Sequence, residues 1–298
     1  MKETADALKS GDSKPRCIEE IGPWPFITKR IFEASDKKRT LWSSRHHRKH
    51  LQVSIDNQTI VAPFRALSLL WMPWKMNWWI GIGFTIGSFL FALASVLSLL
   101  VISIHIFNFA PRNIMLMFFT GSLFFTGAAY LQLFQAANAV DILHVDPPSE
   151  QRRRFFGWRP KDIGWLSSML QFAGTLWFNI NTFDAMFPSL NWLQQDVLIW
   201  LPNFIGSILF LLSGHAAFAE TCHKRWGLEP HNLSWWVVFF NLIGCFAFLV
   251  ASLFAIVLPF PMDAWVANLS MVFTLLGALG FLAGSLLLLP EATSPSPD

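Results

Sequence analysis

Apolar residues gather into six windows nearly free of charge, at roughly 78 to 104, 113 to 137, 163 to 187, 197 to 219, 233 to 258 and 265 to 289. About 20 apolar residues at 1.5 Å rise cross a hydrocarbon layer of about 30 Å. Inside lipid a segment must satisfy its own backbone hydrogen bonds, so each window predicts a helix. The alternating strands of about ten residues that a membrane barrel requires do not occur in the pattern. The expected fold is all-α and polytopic, with six transmembrane helices.

Within the windows a second pattern recurs: a glycine, then a small residue or cysteine, then a phenylalanine four residues after the glycine. It reads Gly87-Ser88 with Phe91, Gly121-Ser122 with Phe125, Gly174-Thr175 with Phe178, Gly206-Ser207 with Phe210, Gly244-Cys245 with Phe248, and Gly277-Ala278 with Phe281. The glycines are 34, 32 and 33 residues apart within successive pairs and 53 and 38 between them, which predicts three tandem helical hairpins of shared topology. The expected organisation is a disordered tail over 1–22, a basic interfacial region over 23–76, and hairpins over 78–137, 163–220 and 233–290. A short cytoplasmic tail over 291–298 ends it. Residues i and i+4 share a helix face, so each glycine and its phenylalanine form one stripe. In lipid, helices associate through close contact at small residues, so Gly87, Gly121, Gly174, Gly206, Gly244 and Gly277 are expected to pack helix against helix. "GIGFTIG" at 81–87 lacks the strand and the spacing of a nucleotide loop.

Paired spans with a G-[ST]-x-x-F core, as in "FTIGSFLF", "QFAGTLWFN" and "NFIGSILFLLSGH", resemble the YrhK-like domain, a two-helix membrane module of bacterial proteins. The resemblance covers about 78 to 290, is best over 163–220, and leaves the N-terminal 76 residues outside it. It implies a multi-pass membrane protein and brings no catalytic or binding residues.

Composition agrees with this picture: 53% of the 298 residues are hydrophobic and only 14% charged. Charge adds an orientation. Of 22 Lys and Arg residues, 14 precede the first span, five follow the second and two follow the fourth, whereas Arg112 alone lies in a loop on the other side. The positive-inside rule then places both termini in the cytoplasm, with a bacterial inner membrane favoured. Trp78, Trp79, Trp165, Trp235 and Trp236 are expected at the inner interface, and Trp192, Trp200 and Trp265 at the outer one. The first 20 residues lack the apolar run of a secretory signal. Three cysteines, Cys17, Cys222 and Cys245, imply no disulfide framework.

Polar residues within spans are expensive in lipid and are the candidate functional positions. Asn179, Asp184, Asn203 and His215 form a candidate polar pathway, with interhelical hydrogen bonding as the structural alternative. Glu220 is expected to be hydrated at a helix end. "SRHHRKH" at 44–50 places His46 and His50 on one helix face, but its arginines and lysine repel a cation. Together with Arg152, Arg153 and Arg154 it reads instead as a basic rim for anionic lipid head groups. Asp141, His144 and Asp146 read as a solvated helix end. No metal, cofactor or nucleic-acid partner is expected, and the common hydrolase, zinc-protease and nucleotide-loop motifs are missing. Two functions remain: a non-enzymatic membrane component that binds lipids, a protein partner or its own copy, and a small-solute, ion or proton carrier.

Overall fold

A computed structural model describes residues 16–33, 39–49, 71–104, 110–139, 153–187, 189–260 and 263–291. The helices are α1 (Ser44–Arg48), α2 (Met76–Ile104), α3 (Pro111–Ala137), α4 (Ile163–Asp184), α5 (Trp192–Gln195), α6 (Leu201–Cys222), α7 (Leu233–Leu253) and α8 (Ala264–Glu291). A π-helical turn over Asp196–Trp200 joins α5 to α6. Local chemistry sets several of these ends. Asp162 caps α4 by accepting from Gly164 N and Trp165 N, and Asn232 caps α7 by accepting from Ser234 N. Asn191 and Gln194 form a reciprocal capping box at the start of α5.

Among the described residues, five helical segments are long and apolar enough to cross a membrane: Met76–Val101, Pro111–Ala137, Trp192–Cys222, Leu233–Leu253 and Ala264–Glu291. The expected third span is not among them. Over its 22 residues α4 carries Ser167, Ser168, Gln171, Asn179, Asn181 and Thr182, which dilute its apolar character. It nevertheless stands in the bundle. The long helices close into a ring in chain order, α2, α3, α4, α6, α7, α8, with α8 returning to α2.

Glycines set the spacing within this ring. A β-carbon at Gly87 would lie 3.0 Å from the Gly121 carbonyl oxygen, and one at Gly121 would lie 3.1 Å from the Gly87 oxygen and 2.8 Å from the Phe91 ring. Gly174 and Gly206 face each other in the same way, each against the other helix's phenylalanine at 2.6 to 2.7 Å, and Gly244 meets Phe281 at 2.7 Å and the Gly277 oxygen at 2.9 Å. Each phenylalanine thus occupies the space that its partner helix's glycine leaves.

The six phenylalanines then meet around the bundle axis. Phe91 contacts Phe125, Phe125 contacts Phe281, Phe281 contacts Phe210, Phe210 contacts Phe178, Phe178 contacts Phe248, and Phe248 returns to Phe91, with ring centroids 4.9 to 6.1 Å apart. All six are buried. Tilted and edge-on contacts predominate, as the aromatic quadrupole favours. Hydroxyl bonds reinforce the seams: Ser167 Oγ donates to Ser213 O at 3.0 Å while Ser213 Oγ donates to Ser167 O at 2.7 Å.

The N-terminal module departs from expectation. Strands β1 (Arg16–Ile21), β2 (Lys29–Glu33) and β3 (Arg39–Ser43) form an antiparallel sheet in the order β1-β2-β3. The chain is mostly helical as expected, but within the segment read as a tail to residue 22, residues 16–21 pair with 29–33 and are held by that ladder. Residues 51–61, where Leu51, Val53 and Ile55 alternate before Asp56-Asn57 as in a hairpin, lie outside the described residues. Thr28, completely buried, bridges to His223 Nδ1 at 2.9 Å and seats the module on the end of α6.

Candidate functional site

The chain leaves β3 directly into α1, the short run Ser44-Arg45-His46-His47-Arg48, which lies across the bundle end formed by the starts of α2, α4 and α7 and the ends of α3, α6 and α8. The expected basic rim is not what this segment makes. Arg45 and Arg48 are 5% and 3% exposed, and both insert into the bundle. The physical reason is charge complementarity. Arg48 Nη2 pairs with Glu220 Oε2 at 2.6 Å, and Ser44 Oγ donates to Glu220 Oε1 at 2.8 Å. Arg45 Nη2 pairs with Glu291 Oε1 at 2.9 Å, Lys49 Nζ donates to Glu291 Oε2, and Ser234 Oγ donates to Glu291 Oε1 at 2.6 Å. Glu220, expected to be hydrated, is completely buried, and Glu291, assigned to a tail, closes α8 in the interior.

These acceptors follow the glycine register. Fourteen residues after Gly121, Gly206 and Gly277 stand Gln135, Glu220 and Glu291. Ten residues before Gly87, Gly174 and Gly244 stand Asn77, Gly164 and Ser234. Each early position meets its late counterpart. Gln135 Nε2 donates to Asn77 Oδ1 at 2.8 Å, whose Nδ2 donates on to Lys49 O at 3.0 Å. Ser234 bonds Glu291. Gly164 lies beneath Glu220, where a β-carbon would come within 2.6 Å of Glu220 Oε1 and 2.7 Å of Arg48 Nε. The glycine makes room for the ion pair. Of the late positions, Glu220 and Glu291 thus bond α1 directly and Gln135 reaches Lys49 through Asn77, a signal that extending the glycine register by about four helical turns would have exposed.

Burial moves two ionisable groups near this end. It lowers Lys49 to about 7, with Arg45 adding to the effect and Glu291 opposing it. Burial raises the Asp162 carboxyl, Glu220 nearby reinforcing it, while Arg48 and the backbone N–H groups at the start of α4 oppose it.

Between α1 and the phenylalanine ring lies an internal cavity of about 50 Å³. Its polar lining is Arg45, Lys49, Asn77, Gln132, Gln135, Gln171, Asn241, Ser213 and Ser285, and Phe84, Phe210 and Phe281 are among its apolar walls. Among the described residues no three His, Cys, Asp or Glu side chains are placed to hold a metal. The chemistry available here is that of ion pairs, amides and hydroxyls.

None of the four candidate pathway residues lines this cavity. Asn179 Nδ2 donates to Thr126 Oγ1 at 2.8 Å across the α3–α4 seam. Asp184 and Asn203 are half-buried, at the end of α4 and near the start of α6. His215 stacks edge-on against Trp226, with centroids 5.3 Å apart, and faces an outer apolar groove with Leu211, Leu212 and Phe246. Arg153 and Arg154 are exposed, and Arg152, His50, Asp141, His144 and Asp146 lie outside the described residues. Trp78, Trp165 and Trp235, expected at an interface, are buried. The indoles of Trp165 and Trp235 donate inward, to Phe156 O and Gly227 O at 2.9 Å, and so clamp the loops before α4 and α7.

A bundle with five membrane-competent helices is the architecture of a multi-pass membrane protein. No family model, curated protein or solved structure matches the chain.

Proposed function

We propose that the chain is a non-enzymatic component of a membrane, with six spans in three tandem hairpin repeats, which binds lipids or a protein partner through its surface. The observation that carries this reading is the closed phenylalanine ring across the bundle axis. It interposes a buried apolar layer where a conducting protein needs a hydrated route. The recurrence of the Gly–Phe exchange in three helix pairs supports the repeats, and with them the likeness to YrhK-like modules. α4 completes the sixth span in this reading because its neighbours cover its polar face.

In this reading the positive-inside bias supports a cytoplasmic α1 end, with a bacterial inner membrane as the setting. Exposed Trp71, Trp74, Phe155, Trp158 and Trp226 rim that end. Arg153 and Arg154 are exposed beside Phe155, in a mix of aromatic and basic groups that suits anionic head groups. The test is reconstitution into vesicles with and without anionic lipid. Retention of anionic lipid through purification, lowered in an Arg153→Glu/Arg154→Glu chain, is expected, together with no ion or proton flux. Sustained flux through the wild-type protein would overturn the reading in favour of a carrier. One observation favours that second reading: the amide-lined cavity lies between two closures, as an occluded site would.

A further inference from the structure

The cavity beneath α1 has a sign. The charged side chains lining it are Arg45 and Lys49, both cationic, and neither Glu220 nor Glu291 contributes to its wall. Arg45 and Lys49 share one carboxylate, Glu291, whose Oε1 also accepts from Ser234. Arg48, by contrast, has Glu220 to itself, with Asp162 nearby at the start of α4. Two cations therefore face one carboxylate on the cavity side, in a buried place where charges interact more strongly than in water, and an anion bound beside them would hold the proton on Lys49, which burial and Arg45 otherwise loosen.

The remaining donors point to the same ligand chemistry. Gln132, Gln171 and Asn241 line the cavity, and their side chains make no hydrogen bond among the described residues. A primary amide directs its N–H groups at an anion as readily as at water. Phe84, Phe210 and Phe281 wall off the bundle centre on the other side. At about 10 to 15 Å³ of cavity per water, a cavity of about 50 Å³ holds a monatomic anion with a little water. A divalent anion exceeds the one charge that Glu291 leaves unmatched.

We propose that this cavity is a binding site for one halide-sized monovalent anion, held between Lys49 and Arg45 and the amides of Gln132, Gln171 and Asn241. The proposal is independent of whether the bundle conducts. Occupancy would tie the docking of the N-terminal module to anion concentration, because the anion and Glu291 hold the same two cations.

The experiment uses the full chain purified in detergent. Thermal unfolding is followed by tryptophan fluorescence while chloride or bromide replaces gluconate at constant ionic strength, and radioactive chloride is dialysed against the wild-type protein. A saturable rise in melting temperature with both halides is expected, with chloride retained and displaced by bromide but not by sulfate. Gln171→Leu and Asn241→Leu, which leave every ion pair in place, should abolish the halide-dependent rise. An equal rise with gluconate, full halide response in both folded leucine variants, or no chloride retained by the wild-type chain would each overturn the proposal. The dialysis decides the matter even where a leucine variant fails to fold.

Discussion

The middle of the bundle and its α1 end solve one problem, holding six helices together, with opposite chemistry. In the middle, glycines and phenylalanines interlock with no charged group: each Gly–Phe exchange lies within a pair of helices consecutive in the chain, and the phenylalanine rings then join the pairs. At the α1 end, three cations from the N-terminal module meet two buried carboxylates 172 to 246 residues away. The contrast separates two kinds of specificity. Shape complementarity joins neighbours and tolerates small adjustments, whereas a buried charge demands its partner and fixes one arrangement of distant segments. Buried ion pairs contribute little net stability when whole but are costly to break, so the end should be the more fragile region and the middle the more forgiving.

The largest expected effect follows from leaving a charge alone. Glu220→Ala strips the partner from buried Arg48 and should cost about 3 to 5 kcal/mol, read as lower resistance to unfolding in detergent and faster proteolysis of residues 16–49. The double change Arg48→Met/Glu220→Leu should recover most of that loss; if it were as damaging as the single change, charge pairing would not be what docks the module. In the middle, Gly206→Ala brings a β-carbon to 2.7 Å from the Phe178 ring and 3.1 Å from Gly174 O. Overpacking of that kind costs about 1 to 3 kcal/mol, and the module should stay protected from protease while melting falls.

A smaller effect comes from Lys49, which faces Arg45, Arg48 and Glu291 and has its pKa lowered to about 7. Between that value and its unfolded range near 10.5 the unfolded chain binds the extra proton. Stability should therefore rise with pH above about 7, by no more than about 1.4 kcal/mol per pH unit. Subtracting the profile of Lys49→Met isolates this contribution, and parallel profiles would show that Lys49 is not held as described. The smallest effect is expected at Ser285→Ala, which removes the acceptor of Thr85 Oγ1 at 3.0 Å and should cost about 0.6 kcal/mol, a typical interhelical hydrogen bond in membrane.

Much of the middle was legible in the sequence because its determinants are local. Helix boundaries at Met76, Ile163 and Leu233 fall within two residues of the apolar windows, and Gly and Phe at i and i+4 declare a shared face. The end was not legible, for a physical reason: a carboxylate at the last turn of an apolar helix looks like a solvated terminus until its partner is known. Glu220 and Glu291 gave that appearance, and Arg45 and Arg48 looked like surface charge for the same cause. The tryptophans misled similarly, since Trp165 and Trp235 carry the interfacial residue type but spend their indole N–H groups on loop carbonyls. The register itself held the missing clue, because Gln135, Glu220 and Glu291 recur as regularly as the glycines do.

The pairing of Arg45 and Lys49 with Glu291 also orders events during synthesis. The module emerges from the ribosome first, yet its third anchor sits on the last turn of α8, 246 residues later than Arg45. Until that turn is made, Arg45 and Lys49 lack their carboxylate. Arg45 and Glu291 together therefore make docking of the module depend on α8: a nascent chain stopped before α8 should present the module to protease, and a chain that includes α8 can close over it.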